Sequence, residues 1–254
     1  MLTPYHKVGD KLMAFDYIVS NPPFNLDFSD YRTDLDTKQN NERFFAGIPN
    51  IPKKYKNSMA IYQLFIQHIM FSLSAKGKAA IVVPTGFVTA QTGIPKKIRE
   101  KLVESRMLRG VISMPSNIFA TTGTNVSILF IDKANTKGDI VLMDGSKLGT
   151  TVKDGKNQKT LLSHDEEQVI IETFNKHEAK ENFTVVVSYE QIKERNYSFS
   201  AGQYFDVKIE YTEISAEEFK NKMNGFKKNL DSLFADSKIL EAEIKKQLGG
   251  LKYE

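Results

Sequence analysis

Three short apolar runs in the first half of the chain each stop at a proline, and that punctuation constrains the fold more than any other feature. Phe15-Asp16-Tyr17-Ile18-Val19-Ser20 stops at Asn21-Pro22-Pro23-Phe24, Lys78 to Val83 at Pro84, and Leu108 to Met114 at Pro115. Runs this short, rich in β-branched and aromatic residues, predict buried strands. Proline has no N–H to give a ladder, so each strand must yield to a turn at that point. Between the runs, Met59, Tyr62, Leu64 to Ile66, Ile69, Met70 and Leu73 recur at helical spacing, ended by Ala75-Lys76-Gly77, and Pro95 to Ser105 reads as a second helix. A fourth run, Val126 to Ile131, follows the turn-like segment from Ala120 to Thr124. Strands alternating with helices predict an α/β chain whose sheet is mostly parallel and covered on both faces.

The remaining segments are less regular. Asn25 to Ser58 is polar and aperiodic and reads as a long loop, a length that is usually functional or mobile. Within it, Phe44-Phe45 reads as an anchor to the core, and Lys53-Lys54-Tyr55-Lys56 as a basic aromatic cluster able to meet phosphates. Gly138 to Asp144 reads as a strand, Gly149 to Thr160 as an exposed loop, Glu166 to Lys176 as a helix and Thr184 to Val187 as a short strand. From Ser215 onward the chain is charged and helical, with Phe219, Met223, Phe226, Leu230, Leu240 and Ile244 three or four residues apart or a multiple of that. Such a stripe suits a surface helix packed on its own domain, or an arm that pairs with a partner helix.

The 254 residues carry a net charge of +4, compatible with a polyanionic partner such as DNA. With no cysteine there is neither a disulfide nor a thiolate zinc site, and His6, His68, His164 and His177 lack ligand spacing, so no metal site is expected. No apolar run reaches the ~18 residues of a membrane helix, and the expected setting is cytoplasmic.

The chemistry concentrates at Asn21-Pro22-Pro23-Phe24, at the carboxyl end of a strand, where ligands of α/β sheets bind. An exocyclic purine amine is a poor nucleophile because its lone pair is delocalised into the ring. Two acceptors aimed at its N–H bonds favour a tetrahedral nitrogen and free that pair. The Asn21 side-chain oxygen and the Pro22 carbonyl supply such acceptors, and the two prolines hold the carbonyl rigid. Phe24 offers an aromatic face to a base taken out of the helix, worth about 1–3 kcal/mol at comparable stacking sites.

This run resembles the Asn/Asp-Pro-Pro-Tyr/Phe motif of amino-directed S-adenosylmethionine-dependent methyltransferases. The resemblance continues through Gly77 to Gly86, Leu108 to Pro115, Gly123 to Phe130 and Tyr197 to Phe205, and is to the methylation subunits of type I restriction-modification systems. It implies a methyl transfer from S-adenosylmethionine to the N6 of a flipped adenine in DNA. Asn21, Pro22, Pro23 and Phe24 would be catalytic, Asn21 and Pro22 would touch the cofactor, and Phe24, Thr124, Asn125, Lys53 and Lys54 would meet the substrate. It further implies specificity and restriction subunits as partners, with residues 1–210 as the carboxyl-terminal portion of the catalytic domain and 211–254 as a docking arm.

About fourteen residues precede Phe15, too few for the glycine-rich turn and acidic strand end that hold S-adenosylmethionine in this family. The sheet is therefore expected to lack its first strands and to leave the Phe15 strand with an unpaired apolar edge. A separate amino-terminal half-chain, self-association, or residues 1–14 folded over the edge would each relieve it. The isolated chain is expected to be inactive. The alternatives are a non-catalytic assembly module, or a methyltransferase acting on glutamine or RNA.

Overall fold

The computed structural model describes residues 1–9, 11–119, 125–136, 138–205 and 214–250. The chain divides into two compact units, Met1–Phe205 and Asp206–Glu254. In the first, β1 (Lys7–Val8) and β2 (Lys11–Leu12) form a small hairpin ahead of β3 (Phe15–Ser20). The short helix α1 (Arg32–Leu35) follows, then α2 (Tyr62–Ser72), β4 (Leu73–Pro84), α3 (Gly86–Thr89) and α4 (Gly93–Glu104). Next come β5 (Leu108–Ser113), β6 (Val126–Asp132), β7 (Ile140–Asp144), β8 (Thr150–Asp154) and β9 (Asn157–Leu161). The unit closes with α5 (His164–Lys176), β10 (Thr184–Val187) and α6 (Tyr189–Glu194). The second unit carries the helix α7 (Ala216–Gly249).

The main sheet has six strands in the order β10-β7-β5-β6-β4-β3. It is mixed rather than mostly parallel. β3 with β4 and β5 with β7 are parallel, whereas β6 runs antiparallel to both β4 and β5, and β10 antiparallel to β7. A parallel neighbour needs a crossover of a dozen or more residues, usually helical, and the link from Ser113 to Val126 has no helical apolar periodicity. β6 therefore returns beside β5. Helices α2, α4 and α6 bury Ile66, Leu102 and Ile192 on one face, and α5 packs Ile170 and Phe174 over Ile112, Val141 and Met143 on the other. Gly110 is required there, because a Cβ would stand 2.4 Å from the Val141 carbonyl and against the Phe174 ring.

β3 differs from the buried strand the sequence predicts. It pairs with β4 alone, and Tyr17 and Val19 are 77% and 86% exposed. Apolar content cannot distinguish an inner strand from an edge one; only the neighbour decides. The β1–β2 hairpin touches β3 through the edge-to-face contact of His6 with Phe15 at 5.5 Å, but it leaves Tyr17 and Val19 uncovered.

Two segments expected as loops are folded. Within 25–58, α1 and three 3-10 turns bury Phe28, Leu35, Phe44 and Ile48 against Met59 and Leu64 of the following segment. Gln67, fully buried on α2, accepts from the Ala46 N–H at 2.8 Å and donates to the Gly47 carbonyl at 3.1 Å, so this excursion is pinned to the helix. Phe44 is thus a core anchor, while Phe45 remains 36% exposed. Residues 150–161 form the hairpin β8–β9 around Gly155-Lys156, with Gly155 at φ 61°. The Asp-Gly pair there is a hairpin signal that the high lysine and glycine content masks. No helix among the described residues is long and apolar enough to cross a membrane.

Arg99 of α4 ties the carboxyl side of the sheet together. Its side chain is buried and lies between the rings of Phe87 and Phe199, at 5.8 and 5.7 Å. It donates to the carbonyls of Tyr197 (2.7 Å), Phe87 and Ala90. Burial pushes its pKa down to about 10, so it stays charged at neutral pH. Arg99→Ala leaves three carbonyls without their donor, and we expect a loss of about 3 kcal/mol or more in chemical denaturation, with no rescue by Arg99→Lys, whose single ammonium cannot fork to three acceptors.

His68 supplies a pH test. Burial, and next the Arg43 charge, lower its pKa to about 4, and its Nδ1 has no hydrogen-bond partner. The unfolded chain takes up this proton near pH 6.5, whereas the folded chain resists it until about pH 4. Stability is therefore retained above pH 6.5 and falls between 6.5 and 4; thermal melts across that range should show a shallower decline for His68→Gln.

Candidate functional site

The site is built on the turn that ends β3. Asn21 is exposed and its side chain makes no hydrogen bond among the described residues, Pro22 is buried, Pro23 is exposed and Phe24 is half-buried. The chain is then caught by the start of α2: the Tyr62 N–H donates to the Phe24 carbonyl at 3.5 Å, and the Leu26 N–H to the Met59 carbonyl at 3.0 Å. A proline-locked bend with both flanks hydrogen-bonded has few ways to relax, so Asn21 is presented from a rigid base.

Behind the bend, three rings form a row. Phe24 meets Tyr62 edge-on at 6.3 Å, and Tyr62 meets Phe87 of α3 at 6.2 Å and 89°. Phe87 lies just beyond the end of β4, and β3 and β4 are parallel, so the row crosses the carboxyl ends of both strands. Burial raises the Tyr62 hydroxyl above its ordinary pKa, keeping it protonated. Arg99 fixes the Phe87 end of this wall through the Phe87 and Ala90 carbonyls.

The antiparallel entry of β6 brings another predicted residue to the same end. Pro84 pairs with Val126, the Thr85 N–H donates to the Asn125 carbonyl at 2.9 Å, and the Thr85 and Ser127 hydroxyls are 3.2 Å apart. Asn125 is exposed there, at the edge of the sheet end that carries Asn21. Thr124 lies outside the described residues. Lys53 and Lys54 are exposed, and Lys54 stands 5.5 Å from the Tyr55 ring. Their segment runs beside the motif's continuation: Asp27 is held below its ordinary pKa by hydrogen bonds from Ser29 and, more weakly, by the Lys56 charge.

Sequence reasoning missed Phe87 and Arg99 as parts of this wall. Arg99 left one trace, since it falls between Ile98 and Leu102 on the apolar side of α4. Tyr62 and Gln67 read as structural residues, and both are buried.

A groove of about 480 Å³ follows the free edge of β3 on the α2 side, lined by Tyr5, Leu12, Met13, Phe15, Ile18 and Ile69 among others. Its lining holds no carboxylate. No group of three or more His, Cys, Asp or Glu side chains able to hold a metal ion occurs among the described residues.

Residues 2–213 match the N-6 DNA Methylase family. The type I restriction enzyme MpnII methylase subunit of Mycoplasma pneumoniae is 29% identical over 236 residues, covering 89% of this chain and 41% of that protein. The HindI methylase subunit of Haemophilus influenzae is 28% identical over 251 residues, covering 96% of this chain and 53% of that protein. A solved methyltransferase subunit of a type I restriction-modification system from Streptococcus thermophilus has a TM-score of 0.64 at 24% identity, over 81% of this chain and 41% of that one. The fold is thus the α/β fold of these methyltransferase subunits, and the chain spans about half the length of the curated relatives it matches.

The free Asn21 side chain has a direct consequence for stability. Asn21→Ala removes no hydrogen bond and no buried surface, so its unfolding free energy should stay within about 0.5 kcal/mol of the parent. A larger loss in a denaturant titration would mean that Asn21 holds the fold rather than a ligand.

Proposed function

Because the chain belongs to the N-6 DNA Methylase family, we propose that it is the motif-bearing part of a type I restriction-modification methylase subunit, acting on the N6 amine of an adenine in DNA. The observation that carries this reading is the exposed, unpartnered Asn21 side chain on a rigid diproline bend at the carboxyl end of β3. The Asn21 oxygen and the Pro22 carbonyl accept the two N–H bonds of the amine and draw its lone pair out of the ring. Phe24 stacks on the flipped base. Asn125 borders the base from the β6 side, with Thr124 beside it in sequence. Lys53 and Lys54 meet the phosphates that flank the target. No charged general base is needed, because the methylated amine sheds its proton readily.

S-adenosylmethionine, when bound, supplies the methyl group from an electrophilic sulfonium. Asn21 and Pro22 fit the reacting end of that cofactor. The groove beside β3 has no carboxylate to receive ribose hydroxyls, so the rest of the molecule is held by chain outside these 254 residues. The unpaired edge of β3 favours the same division: the missing segment, in the same polypeptide or a separate one, pairs there. Specificity and restriction subunits complete the complex, residues 211–254 serve its assembly, and the setting is the cytoplasm.

Calorimetry with S-adenosylmethionine should register no binding to this chain alone, and binding once the amino-terminal half of a type I methylase subunit is supplied. Tight binding by the lone chain would show that the division of the fold is wrong. In the complemented enzyme, transfer of labelled methyl groups to DNA should fall about 10²-fold or more in Asn21→Ala; retained activity would remove Asn21 from the chemistry.

A further inference from the structure

The helix α7 raises a question independent of methyl transfer: what covers its apolar stripe. Its 34 residues span about 50 Å. It opens on a capping box in which Ser215 accepts from the Glu218 N–H, and its apolar side chains are about half exposed or more. The stripe follows a heptad. Phe219, Phe226, Leu233 and Leu240 fall at one core position (d), and Met223, Leu230, Ser237 and Ile244 at the other (a). A helix with such a seam is stable when the seam is buried against another helix.

Flanking charges select the partner and its direction. Lys220, Lys222 and Lys227 line the seam in the first half of α7, and Asp236, Glu241 and Glu243 line it in the second. Two copies in parallel would set Lys222 against Lys227 and Asp236 against Glu241, like charges throughout. Two copies in antiparallel orientation set Lys220 against Glu241 and Lys222 against Glu243, and the twofold axis repeats each pair. In that register Phe219 layers with Ile244, Met223 with Leu240, Leu230 with Leu233, and the small Ser237 receives Phe226. Sliding by one heptad places Asp236 against its own copy, or strips Leu240 and Ile244 of partners. We propose that α7 is an antiparallel, self-complementary coiled-coil element whose occupant is α7 of a second copy of this chain.

The parent chain has no cysteine, which makes the register directly testable. Met223→Cys chains mixed with Leu240→Cys chains under oxidising conditions should give a covalent heterodimer, and neither variant alone should cross-link to itself. A covalent dimer of Met223→Cys alone would indicate a parallel pair and overturn the proposal. So would the absence of any cross-link, or a parent chain that sediments as a monomer at micromolar concentration because another protein's helix is the true occupant. Lys220→Glu with Lys222→Glu should weaken dimerisation at least about tenfold at low salt, and adding Glu241→Lys with Glu243→Lys should restore it. Val19→Lys, on the exposed edge of β3, should leave dimerisation unchanged; dissociation by that variant would place the contact on the sheet edge and sink the coiled coil.

Discussion

Proline's missing N–H ends β3 at Pro22, and the rest of the site depends on that stop. Ser20 pairs with Ile81 of β4, and one residue later the chain leaves the ladder, so the Asn21 side chain is carried off the sheet plane with nothing to bind. Because the following turn is fixed to α2 at both Phe24 and Leu26, the bend is a rigid support rather than a flexible loop. A pair of acceptors held this way loses little to reorganisation when a base amine arrives, which is where electrostatic preorganisation gains its effect.

A rigid bend needs a rigid backing, and the row Phe24, Tyr62 and Phe87 provides it. The row depends in turn on a buried cation. Arg99 bridges α3, the turn after it and the Tyr197 segment, so residues far apart in sequence share one hydrogen-bonding centre. Three carbonyl acceptors and two aromatic faces offset the cost of burying the guanidinium, without a carboxylate that could compete for substrate amines. Phe199 reinforces the arrangement by donating its N–H to the Val88 carbonyl at 3.0 Å.

Much of this was legible in the sequence, for reasons particular residues make plain. Runs such as Leu108 to Ser113 and Val126 to Asp132 announce strands by composition, and Asn21-Pro22-Pro23-Phe24 announces the turn by proline's covalent limits. Strand direction is not written in composition, so the antiparallel β6, which delivers Asn125, emerged only with the pairings. The exposure of Tyr17 and Val19 likewise depends on a neighbour, not on their own chemistry. The 25–58 segment hid its order because Phe28, Leu35 and Phe44 are spaced irregularly, and their burial comes from contact with α2 rather than from local periodicity. Arg99 read as an ordinary surface charge because a buried cation satisfied by backbone carbonyls leaves no complementary acid to find.

The two grooves flanking β3 and its unpaired edge lie immediately beside the proposed reaction centre, since Tyr17, Ile18 and Val19 line both. Completing that sheet edge and loading the base at Asn21 are therefore neighbouring events on one strand. The most direct test is a crystal structure of the complemented enzyme with target DNA, reading the distances from the adenine N6 to the Asn21 Oδ1 and the Pro22 carbonyl oxygen. The account predicts both at about 3 Å, with the base against Phe24. An adenine left stacked in the duplex, or an N6 held by other groups with Asn21 facing away, would contradict it.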